Sequence, residues 1–122
     1  MILGLGLDVV EIARLRALLD GPLGARFARR VFTGVERASC EAHAARAVRY
    51  AGRFAAKEAL LKALGAPPGL AWHEMEVHSD GPPRMVTRGR AAEALAARGV
   101  RSVHLSLSHD GPLAAAAVVL EG

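Results

Sequence analysis

A chain of 122 residues suits one domain spanning residues 1–122 and one core, and excludes a large two-lobed enzyme. It is 52% hydrophobic but only 4% aromatic and carries 25 alanines, so the core must come from Leu, Val and close-packed Ala; the scarcity of rings argues against a base-stacking nucleic-acid module. Sixteen Lys and Arg against twelve Asp and Glu give a net charge of +4, which fits an anionic partner such as a nucleotide, an acidic protein or nucleic acid.

Residues 2–7, Ile-Leu-Gly-Leu-Gly-Leu, alternate large side chains with glycine, the pattern of a strand that another backbone approaches closely on one side. Asp8-Val9-Val10-Glu11 resembles a capping box opening a helix to about residue 19, ended by Asp20-Gly21-Pro22. Residues 25–31 predict a short basic helix, and Thr33-Gly34-Val35-Glu36 a second capping box. A long helix follows from about 42 to 64, stopped by Gly65 and the pair Pro67-Pro68. Residues 74–78 and 84–86 read as two strands joined by the turn at Asp80-Gly81-Pro82, and 90–98 as an Ala-rich helix ended by Gly99. Val103 to His109 alternates again, Asp110-Gly111-Pro112 turns the chain, and Leu113 to Leu120 returns as an apolar strand. The sum is an α+β protein, a small antiparallel sheet against a long central helix and several shorter ones.

The long helix carries Arg53, Lys57, Glu58 and Lys62 among apolar neighbours. At about 100° per residue, Glu58 and Lys62 fall one turn apart on one face. A helix apolar nearly all round is usually buried, and buried charge must be paired with another charge, a metal or a ligand. Asp8 has two readings: an N-cap, which local pattern favours, or a metal ligand at a strand–helix junction. A hard cation such as Mg²⁺ takes one or two carboxylates and leaves its other positions to water and phosphate oxygens. Asp8 and Glu58 supply that number.

Ser106-Leu107-Ser108-His109-Asp110 closes a strand and enters a tight turn, where polar groups are exposed and rigidly placed. Its Ser, His and Asp are sequence neighbours, which rarely supply the geometry of a hydrolase triad. Gly4-x-Gly6 lacks the third glycine of a dinucleotide loop, and His73-Glu74-Met75-Glu76-Val77-His78 is one residue too long for a zinc-protease motif. Cys40 is the only cysteine, so no internal disulfide forms and a reducing compartment fits; it reads as structural. Neither a signal peptide nor a membrane-spanning run is evident, which predicts a soluble, cytoplasmic protein without membrane contact.

Taken in order, three blocks resemble the holo-[acyl-carrier-protein] synthase family, the short type of 4′-phosphopantetheinyl transferase. They are Gly4-x-Gly6-x-Asp8 with Glu11 and Arg14; Arg53-Phe54-Ala55-Ala56-Lys57-Glu58-Ala59-x-x-Lys62-Ala63-x-Gly65; and Ser106-x-Ser108-His109-Asp110 with Ala114, Ala116 and Val118. A weaker strand match, Glu74-Met75-Glu76-Val77 with Gly81-x-Pro83, lies between them. The resemblance implies that fold and a transfer of the phosphopantetheine arm of coenzyme A to a carrier-protein serine, in support of fatty-acid (lipid) synthesis. It implies Mg²⁺ on Asp8 and Glu58, with Lys62 against the pyrophosphate as the third catalytic group. Arg53, Lys57, Lys62, Ser106 and His109 become coenzyme A contacts, and Arg14 with the first helix faces an acidic acyl carrier protein. It further implies a homotrimer with sites between subunits, and no nucleic-acid partner. Where the family leads one to expect a flexible loop after Gly65, this chain has Ala66-Pro67-Pro68-Gly69, which is stiffer.

The rival reading is a small basic module that binds RNA or an acidic protein without catalysis. It predicts salt-sensitive binding that is indifferent to Mg²⁺ and coenzyme A. It offers no reason for a carboxylate inside an apolar helix stripe.

Overall fold

The computed structural model describes residues 1–122. In chain order the elements are β1 (Ile2–Glu11), α1 (Ile12–Asp20), α2 (Gly24–Val31), α3 (Gly34–Glu41), α4 (Arg46–Ala63), a 3₁₀ turn (Trp72–Glu74), β2 (Met75–His78), β3 (Arg84–Thr87), α5 (Gly89–Ala97), β4 (Ser102–Asp110) and β5 (Leu113–Glu121). This is the expected α+β arrangement. β1, β5 and β4 form one antiparallel sheet with β5 in the middle, and β2 pairs with β3 in a second.

The glycine alternation in β1 has the physical cause its pattern suggested. A Cβ on Gly4 would meet the carbonyl of Ala63, and one on Gly6 the carbonyl of Ala59. Without side chains there, α4 lies directly on the β1 backbone. The next inward position along the strand is Asp8, delivered to the same helix. The inner positions of β5, Ala114, Ala116, Val118 and Leu120, are all buried. Most of them pack with Ala55, Ala56, Ala59, Leu60 and Ala63 of α4. Fully burying Val118, Leu60 or Leu120 contributes about 1.5–3 kcal/mol each, before the entropy of ordering them.

A second core joins α1, α2 and α3 to the first half of α4 through Ile12, Leu15, Leu19, Val31, Phe32, Cys40 and Tyr50. The few aromatic rings form one chain of contacts, from Tyr50 to Phe32 at 4.8 Å, to Phe27 at 6.0 Å, to Phe54 at 6.1 Å and to Trp72 at 5.6 Å between centroids.

Two local predictions hold in detail. The Thr33–Glu36 capping box is complete, with Glu36 N–H donating to Thr33 Oγ1 at 3.2 Å and Thr33 N–H to Glu36 Oε1 at 2.9 Å. Gly65, at φ +80°, ends α4 in a Schellman arrangement: its N–H reaches Lys62 O at 3.0 Å and that of Ala66 reaches Leu61 O at 2.7 Å.

One prediction fails. Asp8 caps no helix, because pairing with β5 carries β1 on to Glu11, and Asp8 stands opposite Ala116 within the ladder. α1 starts at Ile12 with no side-chain cap at all. Cross-strand pairing thus overrides the capping signature. The long helix is shorter than its pattern, beginning at Arg46 rather than near 42. β5 is apolar throughout, but only alternate positions are core; Ala115, Ala117 and Val119 face outward and are half-buried.

Candidate active site

Asp8 and Glu58 line the same cleft, of about 270 Å³, with Glu11 and Arg14 at its polar side and Leu15, Leu18, Phe27 and Phe54 forming an apolar wall. Asp8 is fixed by the strand ladder, Glu58 by α4. The Lys62 ammonium, one helical turn after Glu58, donates to Asp8 Oδ1 at 2.8 Å and to the Leu7 carbonyl at 3.1 Å. Three side chains separated by up to 54 positions are thereby gathered at one place.

The electrostatics are uneven. Burial, and then the negative charge of Asp8, push the Glu58 carboxyl above its usual range, while Lys62 opposes the shift. The hydrogen bond to Asp8 holds the Lys62 ammonium above its usual value. No three or more His, Cys, Asp or Glu side chains converge to hold a metal ion, so any ion here would rest on the two carboxylates. That donor set fits Mg²⁺, which needs one or two carboxylates and prefers hard oxygen. The mutual repulsion that raises Glu58 is what a divalent cation would relieve.

Arg53 and His109 share a different cleft, of about 280 Å³, with His43, Arg49, Ser79 and Ser108. Arg53 is only 2% exposed. Its Nη2 donates to Ser39 Oγ at 3.0 Å and to Ser79 Oγ at 2.6 Å, while its buried Nε has no partner. A cleft lined by Arg49, Arg53 and two histidines has the basic character that suits a phosphate. Within one chain this cleft shares no lining residue with the Asp8–Glu58 cleft.

Two expected coenzyme A contacts need correction or relocation. Lys57 has no solvent exposure, and its ammonium donates to Glu36 Oε1 at 2.6 Å, Val31 O at 2.7 Å and Trp72 O at 3.2 Å. All three of its N–H donors are taken, so Lys57 holds α4 to the rest of the fold and is not available to a ligand. Ser106 is exposed and lies outside the Arg53–His109 cleft, in register with Ala117 and hence with Leu7 on the outer sheet face. Of the two serines on this stretch of β4, it is Ser108 that lines the cleft.

Ser39 and Ser79 carry no local sequence signal. Glu36 was legible only as a cap; nothing local signals that it also accepts from Lys57 and from the Val77 N–H at 2.8 Å. Arg14 lines the Asp8–Glu58 cleft directly.

Comparison with known proteins places the chain in a family. The model of the 4′-phosphopantetheinyl transferase superfamily matches residues 4–117. The holo-[acyl-carrier-protein] synthase of Anaeromyxobacter dehalogenans is 55% identical over 125 residues, covering 100% of this chain and 98% of that protein. The crystal structure of the Neisseria meningitidis holo-[acyl-carrier-protein] synthase superposes with a TM-score of 0.90 at 30% identity, covering 100% of both chains. That of the Helicobacter pylori synthase in complex with coenzyme A gives 0.81 at 27% identity, covering 96% of this chain and 99% of the other.

The chain belongs to the 4′-phosphopantetheinyl transferase superfamily. Within it, the chain is an enzyme of the holo-[acyl-carrier-protein] synthase type, and the reading as a non-catalytic basic module is set aside. No helix is long and apolar enough to cross a membrane.

Proposed function

We propose that this enzyme transfers the 4′-phosphopantetheine arm of coenzyme A to a serine of an apo acyl carrier protein, releasing adenosine 3′,5′-bisphosphate, in a Mg²⁺-dependent reaction. The observation that carries the reading is that Asp8 and Glu58 line one cleft while Lys62 donates to Asp8, in a chain of this family. The serine oxygen forms a bond to the pyrophosphate phosphorus nearer the pantetheine, the bond to the adenosine bisphosphate breaks, and the serine loses its proton. Such a transfer needs alignment and charge neutralisation more than covalent help.

Asp8 and Glu58 would hold Mg²⁺, which supplies Lewis-acid neutralisation of the pyrophosphate charge. Lys62 stands against the same phosphates and stabilises the charge that builds on the leaving group. The wall of Leu15, Leu18, Phe27 and Phe54 keeps water back and strengthens these interactions. Arg53, steadied by Ser39 and Ser79, and His109 bind a coenzyme A phosphate. Arg14, at the cleft and on a basic helix, faces the acidic carrier.

Because the two clefts are separate within one chain, the complete site is read as shared between subunits of a homotrimer, with Ser106 near the junction. Support comes from the outer sheet face, where Leu5, Leu7 and Val9 are exposed in a row beside Ala115, Ala117 and Val119. A contiguous apolar face of this kind marks a protein contact. The carrier is placed in fatty-acid synthesis and the enzyme in the cytoplasm; the unpaired Cys40 fits a reducing compartment. The test is to incubate enzyme, coenzyme A and apo carrier with and without Mg²⁺ and weigh the intact carrier. A gain of one phosphopantetheinyl group only with Mg²⁺ supports the reading. Absence of any gain across several carriers overturns it.

A further inference from the structure

Lys62 meets a phosphate in the proposed reaction, yet the bonds it makes are to Asp8, at 2.8 Å, and to the Leu7 carbonyl, at 3.1 Å. Asp8 is therefore asked to serve both an ammonium and a divalent ion. The side chain of Asp8 is 14% exposed and anchored in a ladder, whereas that of Lys62 is 53% exposed on a flexible four-carbon stem. If one of the two must move, it is the lysine. Two cations on one carboxylate also repel each other strongly at a few ångströms. Glu58 alone would hold the ion more weakly, with one of the two carboxylate ligands lost.

We propose that Lys62 and the divalent ion take the Asp8 carboxylate in turn: the ammonium occupies Asp8 until the ion arrives, and is then released to the pyrophosphate. The inference rests on the reading of Asp8 and Glu58 as ion ligands. Its consequence is thermodynamic coupling. The ion alone must displace Lys62, whereas in the presence of coenzyme A the displaced ammonium gains a phosphate partner. Ion and coenzyme A therefore bind cooperatively, each raising the affinity of the other by the same factor. Lys62, a catalytic group, doubles as a gate against loading the ion without its substrate.

The probe is Mn²⁺, with free ion counted by electron paramagnetic resonance and no coenzyme A present. Lys62→Met should bind Mn²⁺ roughly threefold or more tightly than the unsubstituted enzyme, the scale of an exposed ion pair removed. It should also gain less from added coenzyme A. Arg14→Met is the control, since Arg14 lines the same cleft; it removes equal charge and should shift Mn²⁺ affinity less. The chain has only two lysines, Lys57 and Lys62, so ¹³C-lysine labelling gives two resolved side chains, the sealed Lys57 being the reference. Mg²⁺ alone should move the Lys62 signal and not that of Lys57. Equal or weaker Mn²⁺ binding by Lys62→Met, an equal gain from Arg14→Met, or a stationary Lys62 signal at saturating ion each overturns the proposal while leaving the ion site intact. Mn²⁺ binding unaffected by Asp8→Asn would instead overturn the underlying site, and the proposal with it.

Discussion

The ammonium of Lys57 lies 2.6 Å from the carboxylate of Glu36, with both side chains wholly removed from solvent. Burial pulls the Lys57 amine below its usual range, and Glu36 opposes that pull. The pair links α3, the end of α2, α4 and β2, because Glu36 also accepts from Thr33 and Val77, and Lys57 donates to Val31 and Trp72. Removing either partner leaves a buried charge alone. Lys57→Met and Glu36→Gln should each lose about 3–5 kcal/mol of stability in urea unfolding. The double variant Lys57→Met/Glu36→Gln should lose less than the sum of the two. Additive losses would show that the pair is not coupled.

Gly6 sets the depth at which α4 rests on β1. In Gly6→Ala the new Cβ runs into the Ala59 carbonyl, so the helix must lift. Overpacking of this sort costs about 1–3 kcal/mol. Asp8, two residues on, then separates from Glu58 and Lys62. Thermal unfolding and steady-state turnover on one sample should show turnover falling by more than the loss of folded protein explains. Unchanged turnover in the folded fraction would mean that strand depth does not set the site.

Ser79 reaches back from the end of β2 to Arg53, and Ser39 holds the same Nη2 from α3. Ser79→Ala should raise KM for coenzyme A about tenfold, on the scale of one charge-assisted hydrogen bond, with kcat near that of the unsubstituted enzyme. A fall in kcat with unchanged KM would place Ser79 outside coenzyme A binding.

The acid limb of stability should report Glu76. Burial acts to raise its carboxyl, but hydrogen bonds from Thr33, His78 and Arg88, with the Arg88 charge, outweigh it and bring the value down to about 2. A carboxyl lowered in the folded state stabilises above its unfolded range and loses that contribution as pH falls from about 5 towards 2. Glu76→Gln should be less stable at neutral pH and show a flatter acid limb, with the two curves meeting near pH 2. Parallel curves from pH 7 to 2 would contradict this.

Much of this architecture is legible locally. The period of the long helix, the stop at Gly65, the Thr33–Glu36 cap and the glycine alternation of β1 are each fixed by neighbours in sequence, and each is found in the fold. The errors fall where distant pairing decides. Asp8 looks like a cap because the three residues that follow suit one, but nine residues of β5 hold the strand straight past it. Lys57 looks like Lys62, a lysine on a helix beside a glutamate; only the chain around Glu36, 21 positions away, makes one a core residue and the other a site residue. Ser79 is one more polar residue before a turn until Arg53 is placed beside it. Leu5 and Leu7 were visible as the large half of the β1 alternation, but no local signal shows that they and Val9 stay uncovered within one chain.

The proposed transfer depends on an ion held jointly by Asp8 and Glu58 against the pyrophosphate. Crystals grown with Mn²⁺ and coenzyme A test this most directly through the anomalous scattering of manganese. The expected result is one strong peak within coordinating distance of both carboxylates and of the pyrophosphate oxygens, with Lys62 turned from Asp8 to a phosphate. A peak elsewhere, or none at full coenzyme A occupancy, would contradict it.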